Sequence, residues 1–363
     1  MKNSQSKHLP RTNMGLLDIP NELLLAIGEY LSIKDLASLR KTCHHHSSLY
    51  AKLHYRFGLQ RDYGFYTALE WAAMRGHASL VEQALLSRAR IEENGAVRPN
   101  IGALHLAAAR NHHEVIRILL KHNAPIEALG ARKCTPLHYA AECDSTEGAK
   151  VLLEHGADVM SLDMNGDPPA FKAVRRGNVG CVEAFIAAGF DLNFKGVTGR
   201  TLLHIGASSS VEMLRYLLQY KELKLTVNVR DCDGVTPLHA ARKAENLRLL
   251  LDNGADMDSK DLKGNTPAHY AASSGRLSSI VVLIDAGFDI KTRGEHGYMV
   301  LHTAIDYDRR AVVKYLLDEG GGAALINFQD SYGFTPLALA ARPRRESLIQ
   351  LLKDCGADLE AKD

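Results

Sequence analysis

The sequence predicts an all-α solenoid: about nine helix-turn-helix repeats with loop or β-turn tips, preceded by a small helical segment. Three observations predict it. The peptide Thr-Pro-Leu-His stands at 135–138 and 236–239, and returns with one substitution from Thr201, Thr266 and Thr335; weaker copies start at Thr67, Gly102, Pro168 and Met299. The nine starts (67, 102, 135, 168, 201, 236, 266, 299 and 335) are spaced by 35, 33, 33, 33, 35, 30, 33 and 36 residues. Each copy leads into a second apolar run at helical spacing, which in five units stops at a glycine.

Each element has a local reason. Thr135 and Thr236 suit a helix N-cap, and the proline behind each suits the first helical position, where its missing N–H is no loss. Leu137 with Ala140 and Ala141 gives a narrow apolar stripe that lets neighbouring helices approach closely. The second helix of each unit reads as in Val115–Leu120 or Val211–Leu218. Gly156, Gly254 and Gly356, each followed by Ala-Asp, and Gly189 and Gly287, each followed by Phe-Asp, fit left-handed C-caps. The Asp-x-x-Gly turns at 163–166, 231–234, 261–264 and 330–333 fit loop tips between units. The sixth unit is short, with Lys243–Asn246 compressing the turn between its helices.

This period and signature resemble the ankyrin repeat, over residues 65–363. The resemblance implies a protein-binding surface made by loop tips and inner helices. It also implies that His105, His138, His204, His239, His269 and His302, which share one repeat position, bond the backbone of the adjoining loop. Tip and inner-helix positions that the repeat frame does not need are the expected contacts with a target. Among them Arg175, Arg176, Tyr298, Tyr307, Tyr332 and Phe334 are singled out, because arginine and aromatic side chains make the usual anchors of interfaces.

Residues 15–50 depart from the repeat. Leu23–Ile27 is a run of apolar side chains that wraps more than one helix face, and Ser32-x-x-Asp35 reads as a capping box opening a second helix. A segment this short cannot bury those side chains within itself, so it packs on the repeats or on another chain. The pattern Ile19-Pro20-Asn21-Glu22-Leu23, then Ile27 and Leu31, Asp35-Leu36 and Leu39 to Cys43, resembles an F-box. That resemblance implies docking of Ile19, Pro20, Glu22, Leu23, Ile27, Leu31 and Leu36 on the Skp-type adaptor of a cullin ubiquitin ligase. His46 stands where a tryptophan is common, a change expected to weaken docking. An F-box directly ahead of ankyrin repeats looks like a fungal arrangement. The rival reading of these helices is an N-terminal cap on the array. The expected organisation is a disordered stretch over 1–14, the F-box-like segment over 15–50, a linker or cap over 51–64, and nine repeats over 65–363.

The net charge of +2, with both signs interspersed, provides no basic footprint for nucleic acid. No apolar run is long enough to span a bilayer, and the polar stretch 1–13 is unlike a signal peptide, so the cytoplasm or nucleus is expected. Six scattered cysteines without a Cys-x-x-Cys pair fit reduced thiols. His44-His45-His46 point in different directions on a helix, so they make a poor metal site. No catalytic motif is present, and no cofactor is expected. Two readings remain open: a target-binding subunit of a Skp–cullin–F-box ligase, monomeric outside the complex, or an ankyrin scaffold or inhibitor whose first helices only cap the array.

Overall fold

The computed structural model describes residues 68–86, 101–318 and 321–358. The F-box-like residues Ile19, Pro20, Glu22, Leu23, Ile27, Leu31 and Leu36 lie outside them. Among the described residues all regular structure is helical, and the α-helices fall into nine successive pairs. The first helices of each pair are α1 (Ala68–Arg75), α3 (Ala103–Ala109), α5 (Pro136–Glu142), α7 (Pro169–Arg176), α9 (Leu202–Ala207), α12 (Pro237–Ala240), α14 (Pro267–Ser273), α16 (Val300–Asp306) and α18 (Pro336–Ala341). Their partners are α2 (Ala78–Leu86), α4 (His113–Lys121), α6 (Thr146–Glu154), α8 (Val179–Ala187), α10 (Val211–Leu217), α13 (Ala244–Asp252), α15 (Leu277–Asp285), α17 (Arg310–Asp318) and α19 (Glu346–Asp354). A short extra helix, α11 (Lys221–Leu225), follows α10.

First helices pack on first helices along the whole stack, from α1 on α3 through α16 on α18. The alanine pairs make this approach possible: Ala107, Ala108, Ala140, Ala141, Ala271 and Ala272 are all buried. One apolar cluster runs without a break from Leu69 to Ala357, with Phe171 and Phe185 its largest fully buried side chains. Each repeat buries its face only by stacking, which makes the fold quasi-one-dimensional.

Six of the second helices (α4, α6, α8, α13, α15 and α19) end as Schellman motifs. After α13, the Ala255 N–H bonds Leu250 O and the Gly254 N–H bonds Leu251 O, both at 2.9 Å. Gly254 has φ +85°, which a side chain resists. Asn123, at φ 61°, takes the glycine place after α4. In the short sixth unit α12 has four residues, and the chain enters α13 at Ala244, as the compressed Lys243–Asn246 stretch requires.

A second stitch joins the repeats, and in five of them it comes from the residue just before the second helix. The Asn178 amide donates to Ala141 O (2.8 Å), Arg276 to Ala241 O (2.7 Å), Arg309 to Ser273 O (2.8 Å), and Arg345 to Ile305 O and Asp306 O. His112 does the same for Met74 O at 3.1 Å. Each reaches back to the carbonyl-rich end of the preceding repeat's first helix. Orphan carbonyls there need donors, and the helix dipole favours a cation.

Candidate protein-interaction surface

The shared histidine sets the geometry of six tips. His138 Nδ1 faces the Thr135 N–H at 3.2 Å and the Thr135 hydroxyl at 2.9 Å, while Nε2 lies 3.1 Å from Asp167 O in the next tip. An N–H can only donate and a carbonyl can only accept, so the proton sits on Nε2 and the ring is neutral. The same pair of contacts recurs at His204 (Val235 O, 2.9 Å), His239 (Asn265 O, 3.0 Å), His269 (Tyr298 O, 2.9 Å) and His302 (Phe328 O, 3.0 Å). His105 reaches Ala128 O at 2.9 Å. Burial holds all six rings below the usual histidine pKa, and takes His269 to about 4. In the last pair Ala338 replaces the histidine, and the Thr335 hydroxyl simply accepts the Ala338 N–H at 3.2 Å.

The tips themselves are wound around an inward-turned aspartate. Asp231 Oδ1 accepts the Asp233 and Val235 N–H groups, each at 2.9 Å, and its own N–H bonds Val235 O. Asp163, Asp261 and Asp330 repeat the pattern. Their second oxygens meet a varied set: Lys172 is 3.0 Å from Asp163 as an ion pair, Arg200 is 3.3 Å from Asp231, and the Tyr270 hydroxyl donates to Asp261 at 2.9 Å. Backbone bonds then tie one tip to the next, Met164 N to Arg132 O, Cys232 N to Thr198 O, Leu262 N to Asp233 O and Ser331 N to His296 O, all at 2.9 Å. The tips therefore form one supported edge rather than separate loops.

The expected target contacts fall into separate groups. Tyr298, Tyr332 and Phe334 come together at the tips of the eighth and ninth pairs. There the Tyr332 hydroxyl lies 3.1 Å from His296 Nδ1, the His296 ring lies 5.7 Å from Tyr298, and Arg342 sits 4.9 Å over the Phe334 ring. Tyr332 is exposed, whereas Tyr298 and Phe334 are half-buried against the core. Tyr307 is exposed at the end of α16. Arg175 and Arg176 lie on α7 and are already engaged, with Asp167 at 2.9 Å and Glu142 at 2.7 Å. The Arg176 guanidinium holds the Glu142 carboxyl below the usual carboxylate range. A partner contacting either arginine therefore competes with a pair inside the chain. Sequence reasoning did not find the Arg176 pairing, since Glu142 and Arg176 belong to different repeats. It also missed the inter-repeat donors Asn178, Arg276, Arg309 and Arg345. They share a repeat position, but their residue types differ.

A family model described as ankyrin repeats (3 copies) matches residues 69–163, 160–228, 221–294 and 282–363. The chain belongs to the ankyrin-repeat family. Ahead of the repeats, an F-box-like family model matches residues 16–57. Inversin from Canis lupus familiaris is 28% identical over 204 residues, 52% of this chain and 18% of that protein. The transient receptor potential cation channel subfamily A member 1 is 26% identical over 276 residues in Drosophila melanogaster, covering 69% of this chain and 23% of the channel. The Homo sapiens protein of the same name is 30% identical over 205 residues, 54% of this chain and 18% of that one. This chain thus spans about a fifth of the length of the relatives it matches. An F-box-like segment followed by ankyrin repeats makes the chain a protein-interaction module. Among the described residues no helix is long and apolar enough to cross a membrane.

Proposed function

We propose that this chain is the target-recognition subunit of a Skp–cullin–F-box ubiquitin ligase. The observation that carries the reading is the F-box-like match over 16–57 directly ahead of an array whose tips form one exposed edge. Ile19, Pro20, Glu22, Leu23, Ile27, Leu31 and Leu36 dock the Skp-type adaptor, which connects to the cullin. The repeats hold a target protein. Tyr298, Tyr332 and Phe334 are the anchors at one end of the edge, with Tyr307, Arg175 and Arg176 on the inner helices. The chain performs no chemistry itself; it raises the target's effective concentration beside the ubiquitin-loaded enzyme. A preformed edge suits that role, because little conformational freedom is lost when the target binds. The site of action is the cytoplasm or nucleus, and outside the complex the chain is a monomer.

The test is a pull-down by recombinant Skp-type adaptor of the intact chain, of a chain lacking residues 1–50, and of the variant I19A/L23A/I27A. Capture of the intact chain alone is expected. If none of the three is captured while all remain folded, the ligase reading fails. What then stands is an ankyrin scaffold or inhibitor whose first helices cap the array.

A further inference from the structure

We propose that the tips of the fourth to seventh repeats form one apolar ridge with a basic flank, which takes an extended acidic segment of the target protein. The inference rests on the reading that the array holds a target, and adds the chemistry of what is held. Met164, Val197 and Leu262 are 60, 77 and 75% exposed, and Cys232 is exposed between the last two. They occupy the same place in successive tips; Val197, Cys232 and Leu262 each seat on a glycine of the tip before, and the Met164 N–H bonds Arg132 O. A Cβ on Gly166 would overlap Val197 Cγ2, one on Gly199 would come within 2.9 Å of Cys232 N, and one on Gly234 within 2.9 Å of Leu262 N. With the backbone bonds from Cys232 and Leu262 to the preceding tips, the ridge is continuous. Soluble chains seldom leave apolar side chains exposed in a contiguous row unless something binds there.

The flank comes from the residues that lead into the tips. Lys195, Arg230 and Lys260, all exposed, stand two residues before Val197, Cys232 and Leu262, with a residue turned inward or half-inward between them (Gly196, Asp231, Asp261). An exposed cation therefore precedes the exposed side chain that opens the turn in three successive tips. Among the acids of these tips, Asp167 is held by Arg175, and Asp233 is exposed. Lys260 also donates to Arg293 O at 3.0 Å, which fixes it along the edge.

The occupant follows from these features. A second copy of this chain would set cations against cations. Single-stranded nucleic acid asks for aromatic platforms, and the ridge is aliphatic. An acidic protein segment satisfies both the flank and the ridge. Packed helices lie about 8–10 Å apart, and an extended polyproline II segment rises about 3.1 Å per residue with about three residues per turn, so apolar side chains facing the ridge are expected at about every third position.

The experiment is selection of a displayed random 12-residue peptide library on the full chain, on M164D/V197D/L262D, and on K195E/R230E. All five sites are exposed, and circular dichroism melts check that each variant keeps its fold. Enriched peptides on the full chain should be acidic, with apolar residues at intervals of three. Their affinity should fall at least tenfold on the first variant, and their acid preference should vanish on the second. Enrichment of the same peptides on all three proteins would overturn the ridge while leaving target binding by another part of the array intact. Enrichment of basic peptides, or displacement of the bound peptide by oligo-dT, would overturn the proposed occupant. Absence of enrichment on the full chain would overturn the ridge, while the reading on which it rests stands or falls by the adaptor pull-down.

Discussion

The buried histidines make stability depend on pH in a definite direction. Burial lowers the folded-state pKa of all six, so below about pH 6.5 the unfolded chain takes up protons that the folded chain refuses. Stability is fully present above that pH and is lost as the pH falls toward the folded values. For His269, with a folded pKa of about 4, the loss at pH 5 is about 2 kcal/mol. Urea midpoints at pH 7.5 and pH 5 should therefore differ, and H269A should narrow the difference; a higher midpoint at pH 5 would contradict the assignment. Two glycines make a second test. Gly254 is constrained by its φ of +85° alone, whereas Gly234 combines φ +78° with the close approach of Leu262 N. Substitution to alanine is expected to cost about 1 kcal/mol at Gly254 and more at Gly234, measured as the difference in unfolding free energy. The histidine position was legible in the sequence because it repeats. The Arg176–Glu142 pairing was not, because nothing in a single repeat records which side chain of its neighbour stands opposite.

At the scale of the element, the boundaries were legible wherever backbone chemistry sets them. Proline at N1 starts α5, α12, α14 and α18, and a left-handed glycine follows α6, α13 and α19. Those rules act within a few residues, so one sequence suffices. The donors that close the first helices come instead from the next repeat. Arg276→Ala removes the bond to Ala241 O and a cation from a helix C-terminus, and should cost about 1–3 kcal/mol. Arg276→Lys should recover part of that loss through its charge. If thermal melts put Arg276→Ala level with substitution of an exposed surface residue, the stitch contributes nothing. Sequence alone showed only an arginine between two helices.

The whole molecule is a stack in which each repeat contacts its neighbours, so damage should stay local before it spreads. Phe185, fully buried on α8 near the middle of the array, is the place to see this. Phe185→Ala should cost about 3–5 kcal/mol and divide unfolding into two transitions, followed by urea titration with circular dichroism and hydrogen exchange. A single cooperative transition at a lower midpoint would argue for coupling across the full stack.

The chain's sequence by itself determined the repeat, its period, the helix starts and stops, and the all-helical class, because caps, turns and apolar spacing are local physics repeated nine times. It also carried the F-box-like pattern ahead of the array, since that motif is linear. The tertiary structure decided what faces what. Stacking turned Tyr298, Tyr332 and Phe334 into one cluster and engaged Arg176 with Glu142. It also lined Met164, Val197, Cys232 and Leu262 along a single edge. Residues some thirty positions apart become neighbours only when one repeat settles on the next, and that contact is a property of the stack, not of any one repeat.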